Sequence, residues 1–342
     1  MKDKKFKNVV VFTSGGIGDF VMATSAISLI KNYDKNVKVT LIVCKGYESL
    51  ISKKLQVDEI ITLNRKYHVV ETPLFLRLIY KVLWIIKNWR KLYGKDICLM
   101  LEYSSFFIKV AKCFLSIRTV IDEVSMNKEY NHLTMKYQML VRIVFQTQNL
   151  SIPMLPDTDN IKQKINSKFL QSTKKYKIAL CTRTSIEIRN WDINYFNELI
   201  KKINKTYDVT FYIVGNSKEE IENGEYLIRE NKNADIRNLC GKTSFLEVKE
   251  LLMNMDLLVS VDTSIVHFAA IGNIPTISMY GFSLPSVFGP INHNSICLFT
   301  GEDCSPCIAK YFLNKMKCKY PKCMYNITPN MVFKEVRQIL DA

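Results

Sequence analysis

At 342 residues the chain is long enough for two domains that each bury a core of their own. With 48% hydrophobic and 23% charged residues and only 12 Gly and 9 Pro, it is not a disordered, collagen-like or low-complexity chain. Lys and Arg number 48 against 32 Asp and Glu, so the formal charge of +16 calls for an anionic partner: nucleic acid, a membrane surface or a phosphorylated substrate. The excess is uneven. Residues up to Leu155 carry 24 basic and 12 acidic side chains and the remainder 24 and 20, so the first half faces the larger anionic surface and any anion site in the second is local.

Met1 to Lys7 is basic, but the apolar run that follows, Val9 to Phe12, is far shorter than the core of a secretory signal, and a cytosolic location is expected. Asn8 to Phe12 reads as a strand, Thr13 to Asp19 as a glycine-containing turn, and Phe20 to Lys31 as a helix. Further strands are predicted at Val37 to Val43, Ile60 to Leu63, Ile97 to Leu101 and Thr119 to Ile121. Thr72 to Tyr93 is too interrupted by Arg77, Lys81, Lys87, Arg90 and Lys91 to span a membrane, but Leu76, Ile79, Tyr80, Leu83 and Ile86 fall at helical spacing. Two readings of that helix stand side by side: it packs this face on the first sheet, or Trp84, Trp89 and the basic residues touch a membrane surface. The Pro-containing segment Ser151 to Asn160 is the expected linker. Strands resume at Lys177 to Cys181, Val209 to Val214, Ile236 to Leu239, Leu257 to Val261 and Thr276 to Tyr280. The alternation predicts an α/β protein of two doubly wound parallel-sheet domains facing a cleft: 1–155, 156–328, and a C-terminal helix, 329–342, that could pack back on the first domain.

In open α/β sheets ligands bind beyond the carboxyl ends of the strands, which directs attention to four segments. Gly15-Gly16-Ile17-Gly18-Asp19 lacks the last glycine of a dinucleotide fingerprint, position 21 being Val; Asp19 is placed as a helix cap or first-turn carboxylate. Asp262-Thr263-Ser264 opens a helix with free N–H groups suited to phosphate or to plain capping, and His267 lies one turn further on. Gly241-Lys242-Thr243 resembles the end of a phosphate loop, but position 236 is Ile where that loop needs Gly, which excludes an ATPase of that class. Cys181 to Trp191 leaves a strand with Thr184 and Ser185 and presents Arg189, either a solvated charge or a phosphate ligand.

Together these segments resemble glycosyltransferase family nine, the heptosyltransferases that build lipopolysaccharide cores. The likeness runs from Asn8 to Thr328 and rests on Ile17-Gly18-Asp19 with Thr24, Arg189 before Trp191, Val214-Gly215 with Glu219, Gly241-Lys242-Thr243-Ser244, Asp262-Thr263 with His267, Tyr280-Gly281 and Gly289-Pro290. Thr24-Ser25, Trp191-Asp192 and Ser264 depart from the family's usual Thr-Pro, Trp-Pro and Gly. The resemblance implies a GT-B fold of two Rossmann-like domains, acceptor bound by the first and nucleotide-sugar donor by the second. It implies that Asp19 is the base of an inverting, metal-independent transfer from an ADP-sugar. The diphosphate would lie on the helix that starts at Asp262, held by its N–H groups and the Thr263 and Ser264 hydroxyls with His267 in reach, while Thr184, Ser185 and Arg189 close around it; Glu219 would bind the ribose, and Lys242 and Thr243 border the base. Gly16, Gly18, Arg118 and His132 would face the acceptor, a lipid-linked anionic glycan at the cytoplasmic face of the inner membrane. Surface solvation remains an equal account of Arg118 and His132.

Cys304, Cys307, Cys318 and Cys323 form two close pairs; in a reducing compartment a structural zinc outranks disulfides, and a cysteine-rich segment without a catalytic role is the other reading. No cofactor is expected for catalysis itself. Alternatives kept open are a relative with a different nucleotide-sugar donor and a non-catalytic nucleotide-binding protein; no RNA-binding aromatic signature or zinc-finger repeat supports nucleic acid.

Overall fold

A computed structural model describes residues 6–64, 72–102, 104–122, 132–307, 318 and 320–342. The chain divides into two units, Met1–Pro156 and Asp157–Ala342, and the boundary falls inside the Pro-containing segment read as a linker. Among the described residues no helix is long and apolar enough to cross a membrane.

The first unit runs β1 (Asn8–Phe12), α1 (Ile17–Tyr33), β2 (Lys38–Cys44), β3 (Glu59–Leu63), α2 (Leu74–Leu92), β4 (Ile97–Met100), α3 (Ser105–Cys113), β5 (Thr119–Asp122) and α4 (Leu133–Phe145). Its parallel sheet has the order β3-β2-β1-β4-β5, so Val9 pairs with Val39 on one side and Ile97 on the other. A strand paired on both edges and covered on both faces has no polar position to offer, which is why Val9 to Phe12 are all apolar and buried. α1 packs against α4, and everything from Phe20 to Lys31 is buried. Lys31 tolerates that burial because its ammonium reaches Asp58 at 2.7 Å.

α2 reverses the expectation for its packed side. Ile85, Asn88 and Leu92 are buried, and Trp84 donates its indole N–H to the Thr62 carbonyl at 2.6 Å, whereas Leu76, Ile79, Leu83 and Ile86 are exposed. The periodicity was real, but an apolar stripe nearly all round this helix left the choice of buried face to the neighbours that β3 and α3 supply.

The second unit runs α5 (Asp159–Phe169), β6 (Tyr176–Cys181), α6 (Ile193–Thr206), β7 (Val209–Ile213), α7 (Lys218–Glu230), β8 (Asp235–Asn238), α8 (Phe245–Leu252), β9 (Leu257–Val261), α9 (Ile265–Ile271), β10 (Thr276–Tyr280), α10 (Pro285–Phe288), β11 (Ser295–Phe299), α11 (Lys322–Tyr325) and α12 (Pro329–Leu340). The parallel order is β8-β7-β6-β9-β10-β11. β11 was not anticipated: its apolar run, Ile296 to Phe299, is short, and as an edge strand it has every residue half-buried. α12 buries Val332, Val336 and Leu340 in the second unit's own core, beside α6, rather than reserving that face for the first domain. Trp191 belongs to the same core and donates its indole N–H to the Ile327 carbonyl at 2.7 Å.

α5 is tied to α8 by two carboxylates, Glu250 accepting the hydroxyl hydrogen of Thr158 at the N-cap of α5 and Glu247 acting further along. Glu247 accepts the Lys164 ammonium at 2.7 Å and the Ser244 N–H at 2.9 Å, and these bonds, the lysine first, hold its carboxyl down at about 2 against a usual 4.5. The folded state therefore prefers the ionised form; the stabilisation is present above 4.5 and is lost as pH falls toward 2. Glu247→Gln should lower stability at neutral pH by about 1 kcal/mol, since Lys164 is largely exposed, and should cost nothing at the acid end. Denaturation curves at both pH values check this, and an equal loss at each would remove the ionised carboxylate from the account.

Candidate functional site

Both sheets reverse their strand order beside their first strand, between β1 and β4 in one unit and between β6 and β9 in the other. At such a point adjacent loops leave in opposite directions over the two faces and open a crevice at the strand ends.

In the first unit the loop after β1 meets the end of β4. The Asp19 carboxylate accepts the Gly16 N–H at 2.7 Å, closing the first turn of α1 from its third position; glycine at the N-cap has no side chain to return the bond. Glu102, just past β4, accepts both the Ser14 N–H at 2.7 Å and the Ser14 hydroxyl at 3.0 Å. Between them lies Gly15: a Cβ there would sit 2.6 Å from an oxygen of Asp19 and 2.6 Å from an oxygen of Glu102. The glycine is favoured by space rather than by backbone torsion, and the space it leaves lets two carboxylates gather at one edge of the sheet. Glu102 went unremarked in the sequence because nothing linear tells which strand lies beside β1. An apolar pocket opens at the same strand ends, lined by Phe12 and Leu63 and walled by Tyr80, Trp84, Phe107 and the half-buried Lys81.

Of two further residues assigned to the acceptor, one lies at the other end of the sheet. Arg118 precedes β5, at the amino edge of the sheet and so at the opposite end from the Gly15 loop; it is exposed and pairs with Asp96 at 3.8 Å. His132 caps α4, its Nδ1 accepting the Thr134 N–H at 3.2 Å. Gly16 is the N-cap of α1 and Gly18 lies in its first turn, where they shape the loop that carries Asp19.

In the second unit the loops after β6, β9 and β10 converge, because β9 pairs with both other strands. Asp262 follows β9 directly and is buried; it faces Arg189 Nη1 at 3.4 Å and accepts the hydroxyl hydrogen of Ser283. Burial pushes the Asp262 carboxyl up, and Arg189 and then Ser283 oppose that rise. The guanidinium carbon of Arg189 also lies 4.3 Å from the centre of the Phe282 ring. Held by a carboxylate on one side and an aromatic face on the other, Arg189 keeps a buried Nε that meets no hydrogen-bond acceptor among the described residues. Asp262 was expected at the donor site as the start of the helix beneath the diphosphate; its carboxylate, which accepts and cannot donate when ionised, orients the arginine. Phe282 and Ser283 supply the remaining sides of this cluster and had no motif of their own.

Thr184 and Ser185 lie on the same loop as Arg189, which is folded back by the Thr184 N–H donating to Asn190 Oδ1 at 2.7 Å. Thr263 and Ser264 are half-buried at the start of α9, and His267 is buried one turn on. Lys242 turns its ammonium to the Asn238 carbonyl at 2.8 Å, after Gly241 at a φ of +72° that favours glycine. Thr243 Oγ1 is buried without a hydrogen-bond partner among the described residues. Glu219 is exposed in the first turn of α7, its carboxyl held below the usual range by its own backbone N–H and then the Ser217 hydroxyl, while Glu220 performs the cap. The Cys323 thiol is pushed up to about 11 by burial and then by Cys307, Cys304 and Cys318. Among the described residues no three His, Cys, Asp or Glu side chains are disposed to hold a metal ion, and residues 308–317, between the two cysteine pairs, lie outside the described residues.

Two Rossmann-like parallel sheets, one with paired carboxylates and the other with an oriented arginine at the strand ends, are the architecture of the GT-B fold. The family model of glycosyltransferase family 9 (heptosyltransferase) matches residues 115–322, more than half of the sequence, and the chain belongs to that family. It is 23% identical over 336 residues to lipooligosaccharide heptosyltransferase 2 of Campylobacter jejuni, covering 94% of this chain and 96% of that protein. Its fold matches the solved ADP-heptose lipopolysaccharide heptosyltransferase II of Escherichia coli with a TM-score of 0.73 at 18% identity, over 97% of this chain and 98% of that one. The family 9 glycosyltransferase of Veillonella parvula matches with a TM-score of 0.79 at 14% identity, over 99% of each chain.

Gly15→Ala should force Asp19 and Glu102 from their hydrogen bonds, lowering stability by about 1 to 3 kcal/mol and glycosyl transfer far more. Thermal denaturation beside a transfer assay checks both, and wild-type turnover would show that the spacing of the two carboxylates is immaterial.

Proposed function

We propose that the protein transfers a heptose, or a closely related sugar, from an ADP-sugar to a lipid-linked lipooligosaccharide or lipopolysaccharide core, with inversion and without a catalytic metal, at the cytoplasmic face of the inner membrane. The observation that carries the donor half of this reading is the Arg189 cluster, in which Asp262 and Phe282 fix a guanidinium whose Nε has no acceptor among the described residues. The names of the relatives, heptosyltransferases and an ADP-heptose enzyme, support the sugar and the nucleotide.

In this reading the acceptor hydroxyl gives its proton to a carboxylate oxygen of Asp19 while its oxygen bonds to the anomeric carbon from the face opposite the leaving group. The bond from that carbon to the β-phosphate oxygen breaks, and the electron pair leaves on ADP. Arg189 hydrogen-bonds the phosphate as its charge grows, an interaction stronger in the transition state than in the ground state. Asp262 offsets much of the arginine's net charge, so the contribution rests on a fixed donor geometry more than on long-range attraction. Thr184, Ser185, Thr263 and Ser264 border that position with hydroxyls, and Thr243 and Glu219 are left for the nucleoside.

Asp19→Asn retains an oxygen that can accept the Gly16 N–H, so the fold and the donor affinity should persist, while an amide cannot take the acceptor proton and transfer should fall by about a hundredfold or more. Transfer near the wild-type rate would leave Asp19 as a cap and nothing else. Arg189→Lys keeps a cation opposite Asp262 but loses the guanidinium fork, and calorimetry should find ADP bound about tenfold more weakly, about 1.5 kcal/mol. Equal affinity would take Arg189 out of the phosphate site, and tighter binding of UDP or GDP than ADP would change the donor.

A further inference from the structure

The outward face of α2 is apolar for most of its length. Phe75, Leu76, Ile79, Val82, Leu83 and Ile86 are each more than two-fifths exposed, on the side opposite the buried Ile85, Asn88 and Leu92. Scattered exposed leucines are ordinary, but six on one face of one helix are not. The helix carries Arg77, Lys81, Lys87, Arg90 and Lys91 and no acidic residue; Lys87 and Arg90 stand at its exposed carboxyl-terminal end beside Trp89 and Tyr93, while Lys91 pairs with Glu59 at 2.9 Å. An apolar face ending in cations and aromatic rings matches a surface of acyl chains beneath anionic headgroups, where each part finds its own layer. A second copy of the chain fits less well, since the cations of two such helices would repel. The inner side of α2, through Tyr80 and Trp84, walls the apolar pocket at the ligand edge of the first sheet.

We infer that α2 is the membrane-docking element of the protein, lying in the plane of an anionic phospholipid surface with Ile79, Leu83 and Ile86 inserted and Lys87 and Arg90 at the headgroups. This rests on the proposed lipid-linked acceptor, for it would bring the ligand edge of the first sheet to the layer where the acceptor's sugars emerge. The interaction holds the enzyme at the surface reversibly, as interfacial helices do, and needs no spanning segment.

Flotation of the full chain with vesicles of phosphatidylethanolamine and phosphatidylglycerol, and with phosphatidylcholine alone, tests this. The wild type should float with the anionic vesicles, incompletely released by high salt, and only weakly with the neutral ones. Ile79→Glu/Leu83→Glu, at two exposed positions, should reduce binding by about tenfold or more, as should Lys87→Ala/Arg90→Ala at low salt. Nucleotide affinity by calorimetry should be unchanged in both variants, which separates docking from folding and from the donor site. Vesicle binding that survives both double substitutions overturns the inference, as does a wild-type dimer that Ile79→Glu/Leu83→Glu converts to monomer. Because vesicles without acceptor are used, a failure of docking is distinct from a failure of the acceptor assignment, which an assay on a deacylated acceptor reads by itself.

Discussion

Asp262 is a carboxylate buried at the switch point of the second sheet, and a charge in such a place needs a cation to face it. Leaving such a charge uncompensated costs about 3 to 5 kcal/mol, a large part of a domain's net stability. Arg189 meets the demand, but only because β6 and β9 are neighbours and the loop after β6 folds back through Thr184 and Asn190. The pairing does not consume the arginine. Nη1 faces Asp262, the guanidinium plane lies near Phe282, and the buried Nε meets no hydrogen-bond acceptor among the described residues. A side chain with many rotamers is thereby reduced to a fixed donor, and the entropy that a ligand would otherwise have to remove is removed in folding.

The first unit solves the converse problem. Asp19 and Glu102 are like charges on neighbouring strand ends, and each is held by donors from the same loop, Gly16 for one and Ser14 for the other. Gly15 contributes by lacking a side chain, since a methyl group at that point would overlap both carboxylates. The cap and base readings of Asp19 are compatible: a carboxylate that receives one backbone N–H on one oxygen is oriented by it and retains further lone pairs. The same three residues after β1 therefore serve the helix and the chemistry assigned to the site.

The two units divide their surface charge as they divide their tasks. The second unit's anion site is a local cluster, in keeping with a nearly balanced count of acidic and basic residues after Leu155. The first unit holds the larger cationic excess, and α2 sets part of it beside an apolar face that the sheet leaves uncovered. Had Leu76, Ile79, Leu83 and Ile86 turned inward, Asn88 would have lain outside, and the helix would have been an ordinary covering layer. The indole of Trp84, bonded to the Thr62 carbonyl, and Ile85 and Leu92 in the core fix the opposite rotation.

Most strands were legible because parallel strands buried on both faces must be continuous β-branched and aliphatic runs, and Val9 to Phe12, Leu257 to Val261 and Thr276 to Tyr280 are such runs. Asp19, Arg189 and Asp262 were legible because they follow those runs, at the ends where ligands bind. Order along the chain does not say which strands lie side by side, so Glu102, Phe282 and Ser283, contributed by other strands, entered only with the sheet order, and Arg118 was assigned to an edge it does not occupy. The sequence by itself determined the elements, the local charges and the residues at the strand ends, for these depend on interactions a few positions apart. Which carboxylate faces which cation, and which side of α2 meets water, depend on pairings far apart in the chain, and only the tertiary structure decided them.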